Sequence, residues 1–153
     1  MPVEVQLAVQ QTAPPESEAV VVWADRVIGF AGGDQATTEV CIRVVEEKES
    51  QNLNTVYRGK DQPANVLSFL AETVLPESEV RILGDIVICA PVVEREALEQ
   101  MKPLHDHFAH MVVHGMLHLY GYDHVNPADA DVMEGIEREI LGQAGVGDPY
   151  REH

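Results

Sequence analysis

The sequence predicts an α+β protein: a small mixed β-sheet of about four strands covered by about five helices. Two observations carry this. Short segments in which apolar residues alternate with polar ones are interleaved with longer segments whose apolar residues recur every three or four positions. Their order is β-α-β-α-β-β-α-α-α, which suits one sheet covered by helices. The length, 153 residues, is enough for one sizeable core, and a single domain over 1–153 is expected.

Each element has its own local reason. Val3, Val5, Leu7 and Val9 alternate with mostly polar neighbours and predict a strand over 3–9. Pro14-Pro15-Glu16-Ser17 precedes a helix over 17–30, with Val20, Trp23, Val27 and Phe30 near the spacing of one face. Gly32-Gly33-Asp34 is a turn, and Val40, Ile42 and Val44 place a second strand over 37–46. Ser50 is a candidate cap for a short helix across Gln51–Tyr57. A polar loop from Arg58 to Pro63 leads to a strand over 66–70. The acidic stretch from Glu72 to Glu79, with Pro76, reads as a surface loop before a stronger strand over 83–89. Pro91 is acceptable in the first turn of a helix over 91–100. Two further helices follow, over 104–120 and from Pro127 to about Leu141.

Composition narrows the function classes. Apolar residues make up 45% and charged residues 24% of the chain, ordinary for a globular protein. No run approaches the roughly 20 apolar residues that span a bilayer, and the first residues lack the pattern of a signal peptide. A cytoplasmic protein with no membrane partner is expected. Cys41 and Cys89 are isolated, in apolar runs, and read as small buried hydrophobes. A net charge of −16 argues against broad attraction to nucleic acid or anionic membranes, while leaving room for a small basic groove.

The chemistry concentrates in His114-Gly115-Met116-Leu117-His118-Leu119-Tyr120-Gly121-Tyr122-Asp123-His124. His114 and His118 lie one helical turn apart on one face. Gly121 is a natural helix stop, after which the chain can fold back and bring His124 toward the pair. Three imidazoles so placed can hold a zinc-like ion and leave a fourth position open, the mark of a catalytic site. The triad His110, His114 and His118 is excluded. Its outer members span about 12 Å along a straight helix, whereas a zinc–nitrogen bond is about 2 Å. His110 is instead a neighbour of the site or a core residue, and Asp123 either orients an imidazole or forms the turn.

The spacing equals that of the metzincin proteases, His-Glu-x-x-His-x-x-Gly-x-x-His. The position of their general base, directly after the first histidine, is here Gly115. The metal scaffold is similar and the acid–base apparatus is not.

With two further blocks, this run resembles the YbeY family of bacterial rRNA-maturation endoribonucleases. One block is Leu53-Asn54-x-x-Tyr57-Arg58-Gly59-Lys60-Asp61-x-Pro63-x-Asn65-Val66-Leu67-Ser68-Phe69, and the other Leu83-Gly84-Asp85-Ile86-Val87-Ile88-Cys89. The resemblance runs from about Leu53 to Tyr150 and departs at Leu70-Ala71, where relatives often have proline and another residue. It implies a single α+β domain, one zinc ion (Zn2+) held by His114, His118 and His124, and metal-dependent cleavage of single-stranded RNA. The role implied is 16S rRNA 3′-end processing and ribosome quality control. Partners would be the 16S rRNA precursor and the ribosome or its proteins, with no DNA expected. Arg58 matches the family's arginine and would face the metal cleft as a catalytic residue.

Chemistry supports Arg58 separately, since a phosphodiester gains charge on its nonbridging oxygens during cleavage and a guanidinium can pair with two of them. Lys60 is a solvated loop residue or a further phosphate contact, and Asp85 has no assigned role. The nucleophile, water or the RNA 2′-hydroxyl, is open, and no general base is evident. Two other readings compete: a metal-dependent hydrolase of another bond, such as a peptide, and a non-catalytic ribosome-associated factor.

Overall fold

A computed structural model of the chain describes residues 2–71 and 80–150. Nine elements follow in the predicted order: β1 (Val3–Ala8), α1 (Ser17–Phe30), β2 (Thr38–Val45), α2 (Glu47–Arg58), β3 (Val66–Leu70), β4 (Arg81–Cys89), α3 (Ala90–Glu99), α4 (Leu104–Leu119) and α5 (Pro127–Gln143). The fold is α+β, as expected. The stretch read as an acidic surface loop lies outside the described residues.

The four strands form one mixed sheet in the order β1-β2-β4-β3. β1 runs parallel to β2 and β2 parallel to β4, whereas β3 is antiparallel to β4 and forms the edge. Alternation along β2 and β4 sorts the side chains to two faces. Val40, Ile42, Val44, Ile86 and Ile88 join α1, α4 and α5 in the main core. Val45, Val87 and Leu67 face the other way, where Leu53 of α2 packs against them. One face is therefore thickly covered, and among the described residues the other carries a single short helix and an open groove.

α4 is the central helix, with eleven of its sixteen residues buried. A helix apolar nearly all round belongs inside, and this one lies between the sheet and helices α1, α3 and α5. Gly115 lets it close on the sheet: a β-carbon there would lie 3.0 Å from Ile86 Cγ2 and 3.2 Å from Val66 Cγ2. Ser68 Oγ fastens the contact by donating to the Gly115 carbonyl at 3.1 Å.

Two readings of the sequence need correction. α2 begins one turn before the expected start, and Ser50 is inside the helix, not its cap. Its hydroxyl faces inward, where it donates to the Ala64 carbonyl and accepts from the Ala64 amide, both at 3.0 Å. Phe30 is 42% exposed, and Ile28 takes its place on the buried face of α1. Of the cysteines, Cys89 is buried and Cys41 is half-buried.

Candidate metal centre

His114 and His118 leave the same face of α4 near its C-terminal end, as the four-residue spacing requires. The helix ends as predicted. Gly121 takes a positive φ of 93°, its amide donates to the His118 carbonyl, and the Tyr122 amide donates to the Leu117 carbonyl. This pair of bonds is a Schellman stop, and it turns the chain back toward the helix. Asp123 then serves the turn: its carboxylate accepts from the Val125 amide at 2.8 Å. His124 is thereby returned to the first two imidazoles. Ring centroids lie 4.6 Å apart for His114–His118, 5.4 Å for His114–His124 and 5.1 Å for His118–His124. One ring nitrogen from each of the three falls within 4.8 Å of the others.

Behind this trio lies a residue that the sequence reading missed. Glu137 of α5 has no exposed surface. Its Oε2 is 3.1 Å from His114 Nδ1 and 2.8 Å from His110 Nε2, while Tyr150 donates its hydroxyl to Oε1 at 2.6 Å. Burial works against the charged carboxylate, but the hydrogen bonds from the two histidines and Tyr150 outweigh it and hold its pKa down to about 2. Burial pushes His118 below its ordinary value, helped by repulsion from His114 and His124, so a neutral, ligating imidazole is favoured at neutral pH. With a proton of His114 on Nδ1 toward Glu137, its Nε2 offers a bare lone pair, 3.1 Å from His118 Nε2.

That arrangement suits a cation. Two imidazole nitrogens at this distance share at most one proton, and three neutral imidazoles are the donor set of an open zinc-type site. His110, His114 and Glu137 form a second group of metal-capable side chains. Its carboxylate oxygens are already taken up by three hydrogen bonds, and Glu137 faces no open space. His110 is thus both neighbour and core residue, as the exclusion of the straight-helix triad required.

The trio opens into a cleft of about 520 Å³, also lined by Asn65, Val66, Ser68 and Arg58. Arg58 comes from the far side of the sheet, at the last turn of α2. Gly59 takes φ 70° immediately after it and ends the helix there. The guanidinium donates from Nη2 to the Ser68 carbonyl at 2.8 Å and lies 5.3 Å over the Phe69 ring. β3 therefore joins the two halves of the site, binding α4 through the Ser68 hydroxyl and Arg58 through the Ser68 carbonyl. Arg58, Ser68 and Leu70 also line a second groove of about 910 Å³ on the thinly covered face, with Tyr57, Phe69, Arg43 and Asp85. Lys60 is exposed in the loop beyond α2.

Fold and site together define a class: a small α+β protein whose buried helix and following turn present three imidazoles to a cleft that an arginine enters from across the sheet edge. Comparison with known proteins gives the class a family. A family model described as Endoribonuclease YbeY matches residues 7–145. A relative from Halorhodospira halophila named Endoribonuclease YbeY is 52% identical over 154 aligned residues, covering 97% of this chain and 98% of its own. One of the same name from Alteromonas mediterranea is 53% identical over 137 residues, covering 89% and 84%. The chain belongs to the Endoribonuclease YbeY family. The match reaches back into the N-terminal third, where the sequence alone was less diagnostic. The solution structure of TM1509 from Thermotoga maritima superposes with a TM-score of 0.58 over 98% of this chain and 99% of that one. At 24% identity it speaks for the fold alone.

Proposed function

We propose that this chain is a zinc-dependent, single-strand-specific endoribonuclease that matures the 3′ end of 16S rRNA and takes part in ribosome quality control. The observation that carries the reading is the convergence of His114, His118, His124 and Arg58 on one cleft. The names of the relatives support the reaction, and the resemblance in three sequence blocks supports the rRNA role.

In this reading His114, His118 and His124 hold one zinc ion, which when bound supplies Lewis-acid stabilisation to a phosphoryl oxygen. Arg58 is the catalytic side chain of the protein itself. A guanidinium has five N–H donors, and the bond to Ser68 fixes one of them. The rest are available to two nonbridging oxygens as their charge grows. Beside Arg58, Tyr57 is 60% exposed and stands edge-to-face with Phe69 at 5.2 Å. Tyr57 and the half-buried Phe69 line the groove that Arg58 shares with the cleft, and such an aromatic pair suits unstacked bases, which only an unpaired strand offers. The net charge of −16 repels free RNA at long range. Attraction is therefore confined to the metal and Arg58, and the ribosome presents the substrate to a single cytoplasmic domain. Among the described residues no helix is long and apolar enough to cross a membrane.

Peptide hydrolysis is disfavoured by more than a missing glutamate. A side chain at Gly115 would run into Ile86 and Val66. No carboxylate is among the described residues lining the cleft. The test is incubation of the purified protein with single-stranded RNA and with an unstructured polypeptide, each with and without chelator. RNA cleavage abolished by chelator, with the polypeptide intact, is expected. Chelator-sensitive proteolysis without RNA cleavage would overturn the proposal.

A further inference from the structure

A buried acid on the apolar stripe of a helix is costly unless something holds its charge. Glu137 shares the buried face of α5 with Met133, Ile140 and Leu141. Its ion-pair partners among the described residues are imidazoles alone, and Lys102 acts on it only at longer range. It accepts from His110, His114 and Tyr150. The far nitrogen of His110, Nδ1, is buried without a partner. That fits a neutral ring whose single proton is on Nε2, toward Glu137. The same carboxylate oxygen therefore meets two N–H donors, and the second is His114 Nδ1. Tyr150, beyond α5 in the C-terminal segment, holds the other oxygen at 2.6 Å.

We infer that Glu137 is a positioning residue for the histidine trio. It fixes the His114 proton on Nδ1, so that Nε2 always turns a lone pair toward His118 and His124, and Tyr150 holds it in that pose. An imidazole oriented by a carboxylate on its far nitrogen is a recurrent device of metal sites. The buried negative charge also offsets part of the charge of a divalent ion through the shared ring. Direct hydrogen bonds join the carboxylate to both imidazoles and to the Tyr150 hydroxyl.

The inference rests on the assignment of His114 as a ligand, and the test separates the two. The first arm records the nitrogen-15 resonances of the histidine rings in the metal-free wild-type protein at pH 8. His114 protonated at Nδ1 is expected, and a ring protonated at Nε2 would overturn the inference whether or not zinc binds. The second arm measures zinc affinity by competition with a chromophoric chelator. Relative to wild type, Glu137→Gln is expected to bind about 10- to 100-fold more weakly. Its His114 tautomers should be mixed while His118 is unchanged. Tyr150→Phe should show a smaller loss in the same direction, and it stands in if Glu137→Gln does not fold. Affinity within about twofold of wild type in a folded variant, with the tautomer unchanged, would refute the positioning role. Absence of zinc binding by wild type would instead refute the ligand assignment, with the tautomer still deciding the pose.

Discussion

Gly115→Ala sets two effects of known size against each other. In a helix interior alanine is favoured over glycine by about 1 kcal/mol, so propensity alone predicts a more stable protein. Packing predicts the opposite. The new methyl would lie 3.0 Å from Ile86 Cγ2, 3.2 Å from Val66 Cγ2 and 3.3 Å from Ile86 Cδ1. Ile86 is fully buried in the middle of β4, and Val66 belongs to a strand paired to β4, so neither can withdraw freely. Overpacking of this kind costs about 1–3 kcal/mol. The net expectation is destabilisation by about 1 kcal/mol, or a melting temperature lower by about 2–4 °C for a domain of this size. Gly115→Val adds two more methyls and loses most of the propensity gain, and should cost about 3 kcal/mol. Urea unfolding of the metal-free proteins, with slopes compared to confirm an unchanged transition, provides the measurement. RNA cleavage should fall further than stability explains, because a displaced α4 pulls on Ser68, whose carbonyl holds Arg58. A Gly115→Ala protein more stable than wild type would refute the claim that glycine is there for close approach of helix and sheet.

The remaining predictions concern the cleft. Arg58→Ala should lower RNA cleavage about 10²- to 10³-fold, the usual loss for one oxyanion donor, with zinc content and unfolding temperature unchanged. Arg58→Lys should recover little of it, since an ammonium cannot pair with two oxygens at once. If rRNA processing in cells survives Arg58→Ala but not loss of the whole protein, the non-catalytic reading gains. Tyr57→Ala should weaken binding of single-stranded RNA by about 1–3 kcal/mol in a salt-controlled titration, and Tyr57→Phe should restore it. Equal binding by all three would remove the stacking role. Zinc at about 100 times its dissociation constant should stabilise the chain by about 2.7 kcal/mol over the chelated form, readable in the same urea experiment. Stabilisation should vanish in His118→Ala.

The local patterns of the sequence carried far. Residues 17–30 and 66–70 each form an element with the bounds that periodicity and turn residues suggested, and the histidine helix ends one residue before its expected limit. Gly121 and the return of His124 were legible because helix spacing and glycine's left-handed freedom are short-range facts. Ser50 misled for a physical reason: a hydroxyl just before a helical pattern looks like a cap, and only the neighbouring loop shows that it turns inward to Ala64. Glu137 was missed because its partners lie 23 and 27 residues earlier in the chain, and an acid in an acid-rich helix reads as solvated. One signal was available, since Met133, Glu137, Ile140 and Leu141 lie at helical spacing on one face, where a lone carboxylate is out of place. The joining role of Ser68 was out of reach, because it depends on which strand lies against α4.

In the proposed function three imidazoles hold the ion on which RNA cleavage depends. Elemental analysis of the purified wild-type protein and of His114→Ala, His118→Ala and His124→Ala, each assayed on the same single-stranded RNA, tests it most directly. One zinc per wild-type chain is expected, with metal and cleavage lost together in each variant. Full zinc occupancy in His124→Ala, or undiminished cleavage by a metal-free variant, would contradict it.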